Sequence, residues 1–327
     1  MIRLHMSEMP WLPPEHVLTN AAKGLRSLNR YADQEDLRNL KNLLSQYTGV
    51  PSKHIILSPG SDILLRDLIL AFGSNRKLVT LSPSFLPTSQ AAVRFSPKIV
   101  RIRLLPPKFN LKPEPLIEEL DEPTLLILEN PNNPTGKLIL DQETLENVLT
   151  TPKTLTIIDE AYFEFSGVSF APLVSRYPNL ALTRSLDKAF GLAGARVGYA
   201  LAGEQFLEAL STFSSLLPRP SLLAAEAALA ESQYKDRYIG KVLEERERLR
   251  TCLSEMEMSV YPSNTNFILM KTPFPDIADV LKKQDILVAD MASQLAPGFI
   301  RVSVGTPEEN NAFIDAMKSL LRGSLKI

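Results

Sequence analysis

Short, nearly all-apolar runs recur along the first two-thirds of the chain, separated by stretches with helical spacing. The runs Ile55–Leu57, Lys77–Leu81, Ile99–Leu104, Thr124–Leu128, Leu155–Ile158, Leu180–Thr183 and Val197–Leu201 read as strands. Several lack the polar alternation of a half-exposed strand, as strands buried on both faces of a parallel sheet do. Between them, residues 61–72 place Ile63, Leu64, Leu68 and Phe72 on one helical face, and Asp141–Leu149 reads as a further helix. This alternation predicts an α/β fold with a mostly parallel sheet flanked by helices.

After about residue 203 the pattern changes. Glu204–Leu216, Ser221–Glu231 and 234–257 read as helices, and the long one carries Ile239, Val242, Leu243, Leu249, Leu253 and Met256 on or near one face. Strand signals return at Asn266–Met270 and Phe299–Val304, followed by a helix near 307–321. The expectation is a smaller α+β domain with its own core.

Composition narrows the functional classes. At 327 residues the chain has length for about two domains, and 44% hydrophobic with 22% charged residues is the balance of a soluble globular protein. A net charge of -1 lacks the electrostatic footprint of a nucleic-acid or anionic-membrane binder. One cysteine excludes an internal disulfide, and His5, His16 and His54 have no metal-like spacing. Residues 1–20 hold no continuous apolar core of an export signal, and no apolar run approaches the ~18 residues that cross a bilayer. The expected location is the cytoplasm.

The candidate chemistry sits just past the carboxyl ends of the expected parallel strands, where open α/β sheets bind ligands. Thr124–Leu128 is followed by Glu129 and Asn130-Pro131-Asn132-Asn133-Pro134-Thr135-Gly136, and Leu155–Ile158 by Asp159-Glu160-Ala161-Tyr162. Leu180–Thr183 leads into Ser185-Leu186-Asp187-Lys188, with Arg196 eight residues beyond the lysine. Taken singly, these are a turn, a helix cap and a solvated lysine. Together they fit one cofactor. A lysine amine condenses with a carbonyl to a Schiff base, and pyridoxal phosphate uses such a lysine together with a carboxylate for its pyridinium nitrogen. A tyrosine and an asparagine can hydrogen-bond its phenolic oxygen. Its phosphate needs amides at a helix start, hydroxyls and an arginine, which Gly60-Ser61-Asp62, Ser185 and Arg196 supply. Phe85, after Pro83-Ser84, could cover the ring.

With these residues in place, the chain resembles the fold-type-I pyridoxal-phosphate aminotransferases, and within them the histidinol-phosphate aminotransferase family. The resemblance extends over nearly the whole chain, through Arg30-Tyr31, Asn264-Thr265-Asn266-Phe267 and Ile300-Arg301-Val302-Ser303-Val304-Gly305. It implies an aspartate-aminotransferase-like large domain over 32–218 and a small domain built from 1–31 plus 219–327. It implies Lys188 as the Schiff-base lysine and proton-transfer base, and Asp159 at the pyridine nitrogen. Tyr162 and Asn133 would bind the phenolic oxygen, and Ser61, Asp62, Ser185 and Arg196 the phosphate. Phe85 would stack on the ring, and Arg301, with Asn133 beside it, would bind the substrate α-carboxylate. Tyr31 would reach the phosphate in the partner subunit's site, making a homodimer necessary for activity. The substrates implied are small amino and keto acids: glutamate with 2-oxoglutarate, and histidinol phosphate or a similar donor.

The chain departs from that pattern in three places. Asp187 stands before the lysine where relatives often have Ser or Thr, and an acid there is expected to point away from the phosphate. Pro218-Arg219-Pro220 replaces a Pro-Phe-Asn type turn, leaving Arg219 as either an anion contact or a surface residue. The amino-terminal segment reads His5-Met6-Ser7-Glu8-Met9-Pro10 rather than Asn-rich. These changes leave room for an aminotransferase acting on aromatic or other amino acids, or for a lyase like threonine-phosphate decarboxylase. A ligand-sensing module would need an added domain, and a nicotinamide enzyme a Gly-x-Gly-x-x-Gly turn.

Overall fold

In the computed structural model, which describes residues 1–96, 98–212 and 216–324, the apolar runs do become strands. In chain order the strands are β1 (Ile2–Leu4), β2 (Ile55–Ser58), β3 (Lys77–Ser82), β4 (Lys98–Arg103), β5 (Thr124–Glu129) and β6 (Thr154–Asp159). They continue with β7 (Leu180–Ser185), β8 (Gly198–Ala202), β9 (Ser259–Val260), β10 (Phe267–Lys271), β11 (Ile286–Asp290) and β12 (Phe299–Ser303).

Two sheets form. The seven-stranded sheet has the order β2-β8-β7-β6-β5-β3-β4. Neighbours run parallel from β7 through β4, and β8 alone is antiparallel to the strands beside it. Helices cover this sheet on both sides, which is the aspartate-aminotransferase-like α/β architecture. All residues of β5, β6 and β7 are buried, which explains why their sequences carry no polar alternation. The parallel register sets Glu129 opposite Asp159 and Asp159 opposite Thr183. The strand ends therefore form one edge, and whatever follows each strand meets there.

The second sheet has the order β1-β11-β12-β10-β9. It combines the first residues of the chain with the last third, because β1 pairs parallel with β11. The long helix Gln233–Ser254 buries Val242, Leu249 and Leu253 from the expected face, along with Tyr234.

Some boundaries differ from the sequence expectation. Helix Ser61–Phe72 buries Leu64, Leu65, Leu68 and Ile69, a face rotated toward residues 65 and 69. The helix expected over Glu204–Leu216 runs Glu204–Thr212, and 213–215 lie outside the described residues. The helix expected over Ser221–Glu231 starts two residues earlier, at Arg219. Pro218 precedes helix Arg219–Ala230, with Pro220 in its first turn where its missing N–H costs nothing. Helices Glu15–Gly24 and Gln34–Thr48, and strands β1 and β11, had no counterpart in the pattern. Among the described residues, no helix is long and apolar enough to cross a membrane.

Candidate active site

Three strand ends build the floor. At the end of β6, Asp159 is buried, and its Oδ1 accepts from Thr183 Oγ1 at 3.0 Å and from the Ala161 amide at 3.2 Å. Burial pushes its carboxyl up to about 6, against the pull of Thr183, Ala161 and the charge of Lys188. Tyr162, three residues past the strand, is buried with its ring edge-on to Phe267 at 5.2 Å. Past β7, half-buried Lys188 places its Nζ 5.8 Å from the centre of the Tyr162 ring and donates to the Met6 carbonyl at 3.2 Å. Past β5, asparagine side chains fold the Asn-Pro-Thr-Gly segment back on itself. Asn130 Oδ1 accepts from the Ile139 amide at 2.8 Å, and Asn132 Oδ1 from Thr135 Oγ1 at 2.6 Å. That turn presents Asn133, whose Oδ1 accepts from Arg301 Nη1 at 2.6 Å.

Arg301 stands on β12, so the second sheet meets the first at this pair. Its Nη2 donates to the His5 carbonyl at 2.6 Å, and burial lowers its ordinary pKa. Successive carbonyls of the amino-terminal segment, His5 and Met6, thus accept from Arg301 Nη2 and Lys188 Nζ. Ser7 ties the same segment down: its amide donates to Ser303 Oγ at 2.8 Å, and its carbonyl accepts from Asn266 Nδ2 at 2.9 Å.

The fourth wall is the start of helix Ser61–Phe72. Gly60 precedes it at φ 108°, a conformation that favours glycine, and the Arg196 guanidinium lies against that backbone. Arg196 bonds two acids, Asp62 in the first turn of the helix and Asp187 beside Lys188. Ser185 Oγ accepts from the Asp187 amide at 2.9 Å. Gly198, first residue of β8, lets that strand press on the turn, for a Cβ there would collide with Gly60 and the Ser61 amide nitrogen.

This geometry has sequence counterparts along the whole chain. Residues 1–317 match the sequence model of the aminotransferase class I and II family. The chain belongs to that family. Its members use pyridoxal phosphate, and the protein is an enzyme that transfers amino groups. It is 34% identical to a histidinol-phosphate aminotransferase of Thermococcus gammatolerans over 98% of this chain and 92% of the relative. A putative histidinol-phosphate aminotransferase of Erwinia carotovora atroseptica superposes with a TM-score of 0.90 at 25% identity, covering 99% of this chain and 96% of that one. The Sinorhizobium meliloti histidinol-phosphate aminotransferase, solved in complex with pyridoxal-5'-phosphate, shares the fold with a TM-score of 0.88 at 24% identity, covering 98% and 90%.

Nine of the eleven residues singled out in the sequence lie along this edge: Ser61, Asp62, Asn133, Asp159, Tyr162, Ser185, Lys188, Arg196 and Arg301. Half-buried Phe85 is tied to Glu129 by its amide at 3.2 Å, while its ring packs on the apolar cluster around Leu64 and Leu65. Tyr31 stands apart: it is 83% exposed and hydrogen-bonds none of the set. Asp187 corrects the expectation that it points away, because it lies against Arg196 with its side chain 6% exposed. Arg219 pairs with Asp36 at 3.2 Å, tying helix Arg219–Ala230 to Gln34–Thr48, which settles it as an interhelical contact. Trp11 packs on Tyr238 at 5.7 Å and lines a cavity of about 300 Å³ with Met9, Gly191 and Gly194.

The structure also adds Glu129. Among the described residues it is buried with no cationic partner and accepts from Ser84 Oγ at 2.5 Å, the Phe85 amide and Asn132 Nδ2 at 2.9 Å. Burial and neighbouring Asp159 push its carboxyl up to about 7. Its signal in the sequence is a carboxylate ending an apolar strand, as Asp159 does one strand over.

Proposed function

We propose that the protein is a histidinol-phosphate aminotransferase-like enzyme, moving an amino group between histidinol phosphate, or a similar donor, and 2-oxoglutarate. The observation that carries the amino-transfer reading is the placement of Lys188 and Arg301 against adjacent carbonyls of one segment. A lysine amine able to condense with a carbonyl and an anion-binding fork then lie against one segment, as a substrate with an amine and an anion close together requires. The substrate name rests on the relatives.

The residues suit pyridoxal phosphate. Asp159 is a buried carboxylate bonded only to neutral donors, an environment that a cationic pyridinium would relieve. The Gly60–Asp62 helix start and Arg196 offer a phosphate amides and a guanidinium. Bound there, the cofactor supplies an electron sink for the amine-bearing carbon. Lys188 would hold it covalently and, once released, would serve as the base that moves the proton at that carbon. Asp159 keeps the ring nitrogen protonated. Tyr162 and Asn133 hold the phenolic oxygen, Phe85 covers the ring, and Ser61, Asp62, Ser185 and Arg196 hold the phosphate. Arg301, steadied by Asn133, takes the carboxylate of glutamate or the phosphate ester of histidinol phosphate.

The large domain is assigned to 32–218 and the small one to 1–31 plus 219–327. Two copies form a cytoplasmic homodimer in which exposed Tyr31 completes the partner's phosphate site.

Donor titrations test the substrate. Histidinol phosphate and glutamate are expected to bleach the absorbance of the lysine-bound cofactor. Bleaching by an aromatic amino acid but not by histidinol phosphate would remove the substrate assignment and keep the chemistry. Release of carbon dioxide from threonine phosphate would favour the lyase.

A further inference from the structure

Arg196 is clasped by two carboxylates in the place assigned to a phosphate. With both acids ionised, the cluster carries one positive and two negative charges. A phosphate dianion added to it would set four negative charges around one guanidinium, and Lys188 gives up its own charge on joining the cofactor. Such a like-charge group ionises fully only at high cost. One acid has an exit. The Asp62 side chain is 39% exposed and can turn to solvent, whereas that of Asp187 is 6% exposed and held in the loop between Ser185 and Lys188. Asp187 also has a loose end: Oδ2 bonds Arg196, while Oδ1 is buried and, among the described residues, makes no direct hydrogen bond, the Ser185 hydroxyl and the Val197 amide being the neutral donors beside the carboxyl. A buried carboxyl oxygen that makes no direct hydrogen bond is a place for a proton.

We propose that Asp187 holds the cofactor phosphate as a neutral carboxylic acid, so that capturing the phosphate takes up one proton at this side chain. The proton comes from solvent. Oδ1, the buried oxygen, becomes the hydroxyl, and Arg196 is left with the dianion as its main counter-charge. The charged groups facing Asp187 are Arg196 before β8, Lys188 next in the chain, and Asp62 on the far side of the guanidinium. Burial already raises the Asp187 carboxyl above its ordinary value despite the pull of Arg196 and Lys188. The inference rests on the cofactor reading above and adds a pH dependence to cofactor loading.

Calorimetric and absorbance titrations of ligand-free protein with pyridoxal phosphate, between pH 7 and 9 and in buffers of different ionisation heat, test it. Wild type should take up about one more proton per site than Asp187→Ser, and its Kd should rise about tenfold more per pH unit above the Asp187 pKa. Asp187→Asn, neutral and of the same shape, should follow the serine variant and carries the comparison if that variant does not fold. Pyridoxal without its phosphate should show no such difference. Equal proton uptake and parallel Kd profiles in wild type and Asp187→Asn would overturn the proposal, as would the same difference with pyridoxal. Failure of wild type to form any lysine-linked absorbance would instead overturn the cofactor reading beneath it.

Discussion

Arg301 shows how much one side chain is asked to do. It bridges the two sheets through Asn133 and offers the only guanidinium among the residues singled out near Lys188 that no carboxylate neutralises. A lysine there would keep the charge and lose the fork. Arg301→Lys is expected to raise KM for both substrates by roughly 30- to 150-fold, the effect of about 2–3 kcal/mol in charge-assisted hydrogen bonds, with kcat changed less. Unchanged KM for both would remove Arg301 from substrate binding. The sequence made Lys188 and Asp159 visible because each carries charge at the end of a strand that is otherwise apolar, whereas Arg301 was legible only through the family resemblance. It did not show which way Asp187 faces, since that depends on the positive-φ backbone at Arg196, φ 55°, swinging the guanidinium across to the lysine loop. Glu129 escaped for another reason: its donors, Ser84, Phe85 and Asn132, come from two loops that only the folded sheet brings together.

Among elements, β8 matters more than its apolar run suggests. It is the strand that runs against its neighbours, and its first residue, Gly198, touches the turn that opens helix Ser61–Phe72. Gly198→Ala would push that turn off Arg196. Overpacking of this kind costs about 1–3 kcal/mol. The expectation is a fall in cofactor affinity of at least fivefold with a lowered melting temperature, measured by absorbance titration and thermal melts. An unchanged affinity would show that the turn does not hold the phosphate. The parallel strands were legible element by element, because burial on both faces leaves a continuous apolar run. Strands β1 and β11 were not, since β1 spans three residues and Leu287–Asp290 are only partly buried or exposed. Helix Gln34–Thr48 did leave a local trace, the Asp33…Asp36 capping box before it and Gly49 at φ 72° after it.

At the scale of the whole molecule, the amino-terminal segment joins the parts. It begins in the second sheet as β1, crosses over Arg301 and Lys188 at residues 5–6, and continues toward exposed Tyr31. The α/β character and the use of the last third as a separate sheet were readable from pattern alone; the return of the first residues to that sheet required the family resemblance. If Tyr31 serves the partner's site, mixing inactive Lys188→Ala with inactive Tyr31→Ala subunits should restore up to about a quarter of wild-type activity at statistical subunit exchange. Confirmed exchange with no recovery would contradict a shared site. The account as a whole turns on Lys188, and its most direct test is the absorbance spectrum of purified protein given pyridoxal phosphate. Wild type is expected to show the yellow, borohydride-sensitive band of a lysine-bound cofactor, and Lys188→Ala to lack it while keeping its fold. The same band in Lys188→Ala would contradict the central claim.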